Sequence, residues 1–408
     1  MSGYSVIDAG GVTAPQGWRA AGLACGLRYS GRPDLALLVS DAPCTAAALF
    51  TTNCVKSAHI LYGQPLLRRN PTGIQAVMIN AGSANACTGE AGVAAAATVA
   101  RAVETTLGLP PDSAFVMSTG VIGLPLNVQK MVAGIAQAAQ QLDVANALDA
   151  ARAIMTTDTY PKQRAVRVDL PTGGQICIGG MAKGSGMIHP NMATMLSVLT
   201  TDAAITPPAL DAALRYVTDR SFHCISVDGD TSTNDTVLAL ANGRASTPLI
   251  SDITTPDGQA FVAGLLAVAQ PLAQEVARDG EGATRFITIR VHGAPSDADA
   301  RTVGLTIARS PLVKTALYGA DPNWGRIVCA AGYSHIPVEP ECMVLRFGEM
   351  VVFEYGVPLD FDEQAAHALL DQPDVLIDLD LGLGDGSATV WTCDFSYQYV
   401  KINAEYRS

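Results

Sequence analysis

The sequence predicts an α+β protein made of layered mixed sheets flanked by helices. Three observations carry that expectation. Short apolar runs of strand length alternate with helical stripes along the chain, the C-terminal half is richer in strands, and the composition calls for a large buried interior. Hydrophobic residues make up 49% of the 408 and charged residues 16%, against a usual charged share of about 25%. A chain of this length exceeds what one core usually supports, so two domains or two closely packed lobes are expected.

The elements follow in order. "QAVMIN" (75–80) and "SAFVMST" (113–119) are apolar runs of strand length. Between them Val99, Val103 and Leu107 stand four apart on one helical face, and Gly108 with Pro110 supplies the stop. Thr206 followed by Pro207 is a good helix start, with Leu210, Leu214 and Val217 as its apolar stripe. Further on, "RFITIRVHG" alternates, and "CMVLRF" and "MVVFEY" flank Gly348-Glu349 as a hairpin. "VLIDLDLGL" alternates from Ile377 to Leu383 and turns at Gly384-Asp385-Gly386 into "SATVWTCDF". No repeat, low-complexity tract or linker interrupts this pattern.

Composition also narrows the function. A formal charge of −12 disfavours nucleic acid and anionic membranes, which select basic patches. The start, "MSGYSVIDAGGVTAPQGW", has neither a basic opening nor an apolar core of signal-peptide length. The longest apolar stretch, 260–269, is about half a membrane span and stops at Gln270-Pro271. A cytoplasmic protein is expected. Nine cysteines, an odd number with no CxxC pair, argue against a disulfide framework or a zinc site; Cys87 and Cys329 read as small core residues. "DGDTSTND" (228–235) lacks the glycine and glutamate of a calcium loop and reads as a structural turn. "KGSG" has its lysine before the glycines, so it is no phosphate loop, and no G-x-S-x-G surrounds Ser185.

The segment "KGSGMIHPNMATMLSVLTTD" (183–202) is the one that invites chemistry. Threonine is a weak nucleophile unless a base stands beside it, and an N-terminal threonine carries its own in the α-amino group. That amine has an ordinary pKa of about 7.7–8.0, so part of it is neutral near pH 7. Thr194 is internal, so the arrangement requires cutting the Ala193–Thr194 bond. The Thr194 hydroxyl can attack the Ala193 carbonyl to give an ester that water opens. Alanine leaves that carbonyl approachable, the β-branch holds Oγ, and Gly184 and Gly186 permit unusual backbone. Ala-Thr dipeptides are common, however, and a buried threonine at a strand start is the plainer reading of these residues alone.

More of the chain bears on the choice. "KGSGMIHPNMATML" resembles the self-processing site of the ornithine acetyltransferases, the ArgJ family. "AGGVTAPQGWRAAGLACGLR", "AALFTTN", "NAGSANACTG", "STGVIG", "IMTTDT", "VDGDTSTNDT", "DGEGAT", "YGADPNWGRI" and "YVKINAEYRS" resemble that family's motifs in the same order, over essentially the whole chain. The resemblance implies an ArgJ/DmpA-like fold and a self-cleaved threonine-nucleophile enzyme. It implies an α chain of 1–193 and a β chain of 194–408 packed as one protomer, and an α2β2 heterotetramer. The implied activity moves acetyl from N-acetyl-L-ornithine to L-glutamate through acetyl-Thr194, in ping-pong order. No cofactor is implied, although some members also accept acetyl-CoA as a donor.

The same resemblance assigns individual roles. Thr119 and Gly120 match the oxyanion-hole pair, where a strand breaks into a Gly-containing turn. Lys183 matches a substrate contact whose ammonium suits the carboxylate common to both amino acids; a lysine beside glycines is otherwise a solvated loop residue. Thr156 matches another contact, with Thr157 and Thr159 as close rivals. Glu281 matches an acidic contact suited to an amino group, and Asn403 and Ser408 match contacts at the C-terminus, where many members carry threonine in place of Ser408. His189 is near Thr194 but is assigned no catalysis. The competing readings are a threonine-nucleophile amidohydrolase or aminopeptidase, and a non-enzymatic amino-acid binder with an uncut chain.

Overall fold

The computed structural model describes residues 3–28, 31–189 and 195–405. These divide into two compact units. Among the described residues, the first is drawn from 3–184, 195–222 and 231–273, and the second from 185–189, 223–230 and 274–405.

The first unit holds nine strands in one sheet: β1 (Tyr4–Val6), β2 (Trp18–Leu23), β3 (Leu35–Phe50), β4 (Ile74–Ser83), β5 (Ala114–Val121), β6 (Lys162–Asp169), β7 (Gln175–Lys183), β8 (Leu196–Thr201) and β9 (Thr236–Ala241). Their order is β1-β6-β7-β8-β9-β3-β4-β5, with β2 also on β3. The sheet is mixed: β8/β9 and β4/β5 are parallel and the other pairs antiparallel. The 16-residue β3 is the device that makes layers. Leu35–Val39 pair with β4, and Thr45–Phe50 pair with β9.

Alternation along these strands sorts side chains into two cores. Ala76 and Met78 of β4, with Leu35, Leu37 and Val39 of β3, pack against α2 (Gly89–Leu107) and α3 (Val128–Gln140) after α1 (Ala58–Arg69). Val77 and Ile79, with Ala36 and Leu38, share the other core with Met181, Leu196, Val198, Leu238 and Leu240 of β7–β9 and with α4 (Ala147–Ala153). Strands buried on both faces read as continuous apolar runs because neither face meets water. α2 ends at Gly108, which sits at φ 65, the left-handed cap its sequence signals. α5 (Pro207–Thr218) begins after Thr206 and buries Leu210, Leu214 and Val217.

One expectation needs correction. Among the described residues eight strands precede Asp202 and seven follow it, so the C-terminal half is not the richer one. The small-residue strand β3, buried over much of its length, carries no polar alternation to reveal it. The apolar stretch at 260–269 lies inside α6 (Pro256–Arg278), which continues through Pro271, and Leu272, Ala273, Val276 and Ala277 beyond it are buried. By length and composition α6 could cross a membrane, but half of that window is buried in the fold.

The second unit is a six-stranded sheet of β10 (Phe286–Ala294), β11 (Val344–Phe347), β12 (Met350–Glu354), β13 (Val357–Pro358), β14 (Asp374–Asp380) and β15 (Gly386–Cys393), ordered β13-β12-β11-β14-β10-β15. The hairpin at Gly348-Glu349 is present, Phe347 facing Met350. The turn at 384–386 joins strands that are not partners, since β10 lies between β14 and β15, parallel to the first and antiparallel to the second. Ile287, Ile289 and Val291 of β10 pack with α7 (Asp297–Ala308), α8 (Pro311–Tyr318) and α9 (Trp324–Gly332). α10 (Glu363–Leu370) adds Leu370, and α11 (Tyr397–Ala404) closes the described chain. The architecture is α+β with mixed sheets flanked by helices, as expected.

Candidate active site

Lys183, the last residue of β7, is 1% exposed. Its ammonium donates to Thr156 Oγ1 at 2.6 Å and to Thr119 Oγ1 at 3.3 Å. Thr119 is on β5, five strand steps from β7 along the hydrogen-bonded path, and the shared core described above brings the two layers together. Each hydroxyl oxygen accepts from lysine through a lone pair, which leaves its O–H as a donor toward a ligand.

A charged neighbourhood keeps this buried lysine in place. Asp158, 4% exposed, accepts from Lys162 Nζ at 2.8 Å, from the Gly184 N–H at 2.7 Å and from the Thr156 N–H at 2.9 Å. Burial pushes the Asp158 carboxyl up, and the Lys162 and Lys183 ammonium groups more than reverse this, holding it at about 2. Burial pushes Lys183 down from its ordinary value, and Asp158 opposes that push. Burial also drives Asp235 well above the ordinary carboxylate range, although the Met195 N–H donates to its Oδ1 at 2.8 Å.

Gly120 lies within β5 rather than after it, a small correction to the expected strand break. Its φ is 131, and a Cβ there would stand 2.4 Å from the Gly82 carbonyl carbon, so only glycine fits this irregular pairing.

A second cluster lies in the other unit. Glu281 is 7% exposed and accepts from Asn403 Nδ2 at 2.9 Å. Its backbone N–H donates to the Ser185 carbonyl at 2.9 Å, and Ser185 Oγ donates to the Asp279 carbonyl at 2.5 Å. A Cβ on Gly186 would stand 2.4 Å from Glu281 Cδ, so the glycine is what admits the carboxylate. Asp228 accepts from the Met187 and Ile188 N–H groups at 2.5 and 2.8 Å, and burial raises its carboxyl to about 6 against those bonds. His189 is neutral, lowered to about 4 by burial and by Arg309.

The structure therefore gathers Thr119, Thr156 and Lys183 in one cluster, and Glu281 with Asn403 in another. Thr194, Ala193 and Ser408 lie outside the described residues. The hydroxyl beside Lys183 belongs to Thr156 rather than to Thr157 or Thr159. Sequence reasoning passed over Asp158 and Lys162; an acid two residues after Thr156 and a lysine beyond Pro161 gave only a faint signal. Cys87 and Cys329 are exposed, which corrects their reading as core residues. Cys87 sits at φ 58 in the turn ahead of α2, and Cys329 lies on α9 away from its buried Ile327, Ala330 and Ala331.

Comparisons with known proteins bear on the family of the chain. The model of the ArgJ family matches residues 19–408. "Arginine biosynthesis bifunctional protein ArgJ" of Symbiobacterium thermophilum is 50% identical over 403 residues, covering 98% of this chain and 99% of that protein. The protein of the same name from Thermosynechococcus vestitus is 48% identical over 424 residues and covers 100% of both. Among solved structures, Ornithine Acetyltransferase complexed with Ornithine from Mycobacterium tuberculosis is 38% identical, with a TM-score of 0.42 over 46% of this chain and 98% of that one.

Proposed function

Because the chain belongs to the ArgJ family of arginine-biosynthesis enzymes, we propose that it is a glutamate N-acetyltransferase that carries acetyl from N-acetyl-L-ornithine to L-glutamate on Thr194. The observation that most supports this reading is the buried Lys183 ammonium, held between the Thr119 and Thr156 hydroxyls at 3.3 and 2.6 Å. A buried cation with donors beside it suits a carboxylated substrate and a developing oxyanion.

In the proposed reaction the precursor first cuts itself between Ala193 and Thr194, freeing the Thr194 amine. Thr194 Oγ attacks the acetyl carbonyl carbon while its proton passes to that amine. The Thr119 hydroxyl and the Gly120 N–H hold the oxyanion. Collapse breaks the amide C–N bond, and the departing ornithine nitrogen takes the proton. The glutamate amine then attacks the acetyl ester, and Thr194 Oγ leaves with a proton to complete N-acetylglutamate. Lys183 and Thr156 are assigned to the substrate carboxylate, and Glu281, Asn403 and Ser408 to contacts that include the substrate's amino group. No cofactor is required; acetyl-CoA is a second donor by analogy with the bifunctional relatives. A cytoplasmic α2β2 assembly belongs to the same proposal.

The test is to incubate purified protein with N-acetylornithine, with and without glutamate, and with acetyl-CoA plus glutamate. Acetylglutamate from the first donor is expected. Free acetate alone, with or without glutamate, would point to an amidohydrolase.

A further inference from the structure

We infer that Asp158 is a positioning residue, whose carboxylate ties the Thr156 turn to the end of β7 and so sets where the Lys183 ammonium and the Thr156 hydroxyl stand. The inference rests on the proposed function for what those two groups bind. A carboxylate serving only to neutralise Lys162 would need one oxygen. Asp158 uses both. Oδ2 takes the Thr156 N–H at 2.9 Å, and Oδ1 takes the Gly184 N–H at 2.7 Å as well as Lys162 Nζ at 2.8 Å. The Gly184 N–H belongs to the peptide plane that also contains the Lys183 carbonyl, so fixing it fixes the stem of Lys183.

The topology makes this reach possible. β6 and β7 are antiparallel, with Lys162 opposite Ala182, so the residues just before β6 lie beside the end of β7. The side chains of Asp158 and Lys162 are fully buried, and in that setting a charge-assisted bond holds geometry far better than a solvated one. Thr156 and Lys183 are 27 residues apart in sequence, and this one carboxylate accepts from the Thr156 N–H and from the N–H of Gly184, the residue after Lys183.

The electrostatics point the same way. The charged groups acting on Lys183 are Asp158 and Asp235, which favour its ammonium, and Lys162 and Arg28, which oppose it. Removing the Asp158 charge therefore lowers Lys183 further, and the ammonium is lost at a lower pH.

The test compares wild type, Asp158→Asn and the double variant Asp158→Asn/Lys162→Met. In Asp158→Asn, kcat/KM for acetyl transfer should fall about 100-fold, as displacement of a binding group by about 1 Å commonly does, and its alkaline limb should move to lower pH. The double variant removes the stranded Lys162 charge, so it should recover thermal stability while kcat/KM stays low. Recovery of kcat/KM together with stability would overturn the inference, leaving Asp158 a mere counter-ion. That comparison serves even if Asp158→Asn alone does not fold. Should the wild type itself transfer no acetyl, the proposed function fails separately. The inference is then read by amide hydrogen exchange at Thr156 and Gly184 in the double variant, where faster exchange than in the wild type supports it and unchanged protection overturns it.

Discussion

Lys183 Nζ stands 2.6 Å from Thr156 Oγ1 in a setting that leaves the lysine 1% exposed. A lysine followed by glycine in sequence is thus a buried cation beside two hydroxyls and within the influence of the Asp158 and Asp235 carboxyls. Replacing it by methionine keeps the stem and removes the charge. Lys183→Met should lower kcat/KM for acetyl transfer by about 100-fold, the scale of losing one charge-assisted contact of about 3 kcal/mol. Steady-state kinetics with N-acetylornithine and glutamate measure it, and a loss under threefold would remove Lys183 from the binding machinery.

Thr119→Val keeps shape and deletes the hydroxyl. If that hydroxyl serves the oxyanion, kcat should drop about 10²–10³-fold with little change in KM. A change confined to KM would instead make Thr119 a substrate contact.

Gly186→Ala tests the second cluster. The new Cβ would meet Glu281 Cδ at 2.4 Å, so the carboxylate must shift away from Asn403 Nδ2. We expect a tenfold or greater loss of kcat/KM, on the order of 1.4 kcal/mol, with the fold retained by circular dichroism. Wild-type kinetics in this variant would mean that the Glu281–Asn403 contact is irrelevant to turnover.

Thr194→Ala should leave a folded, uncut and inactive chain. Denaturing electrophoresis of the wild type is expected to show two bands of similar size and the variant one. Two fragments from the variant would refute the role of Thr194. In the wild type, double-reciprocal plots for the two substrates should be parallel, as transfer through an acetyl-enzyme demands.

His59 supplies a pH prediction. It is fully buried between Ser57 Oγ, 2.8 Å from Nδ1, and Thr236 Oγ1, 3.1 Å from Nε2, and burial lowers it to about 3. The folded value lies below the unfolded 6.5, so the unfolded chain takes up the proton first as pH falls. The stability contribution is intact above 6.5 and declines between 6.5 and 3, reaching a loss of about 2 kcal/mol near pH 5. Melting temperatures of wild type and His59→Gln across pH 7 to 4 measure this. Equal slopes would rule out His59 as a source of acid sensitivity.

Much of the architecture was legible because its causes are local. Gly108 after an apolar stripe of four-residue spacing, Thr206-Pro207 ahead of another stripe, and Gly348-Glu349 between alternating runs each announce an element through backbone and periodicity alone. β3 and the path of α6 through Pro271 were hidden. Burial on both sides of β3, and the packing that follows Pro271, override the local pattern. Cys87 was misjudged for a related reason: residue type predicts average burial, whereas a left-handed turn places that side chain outward.

For the candidate site, the resemblance of short stretches to a family's motifs nominated Thr119, Thr156, Lys183, Glu281 and Asn403. It did not place them. That Lys183 is buried, that its ammonium donates a hydrogen bond to Thr156, and that Asp158 accepts from the Thr156 and Gly184 N–H groups follow from contacts between residues up to 64 positions apart. Such contacts exist only once β6 pairs with β7 and β3 carries the sheet into a second layer, because a buried charge is tolerated only where folding delivers its partners.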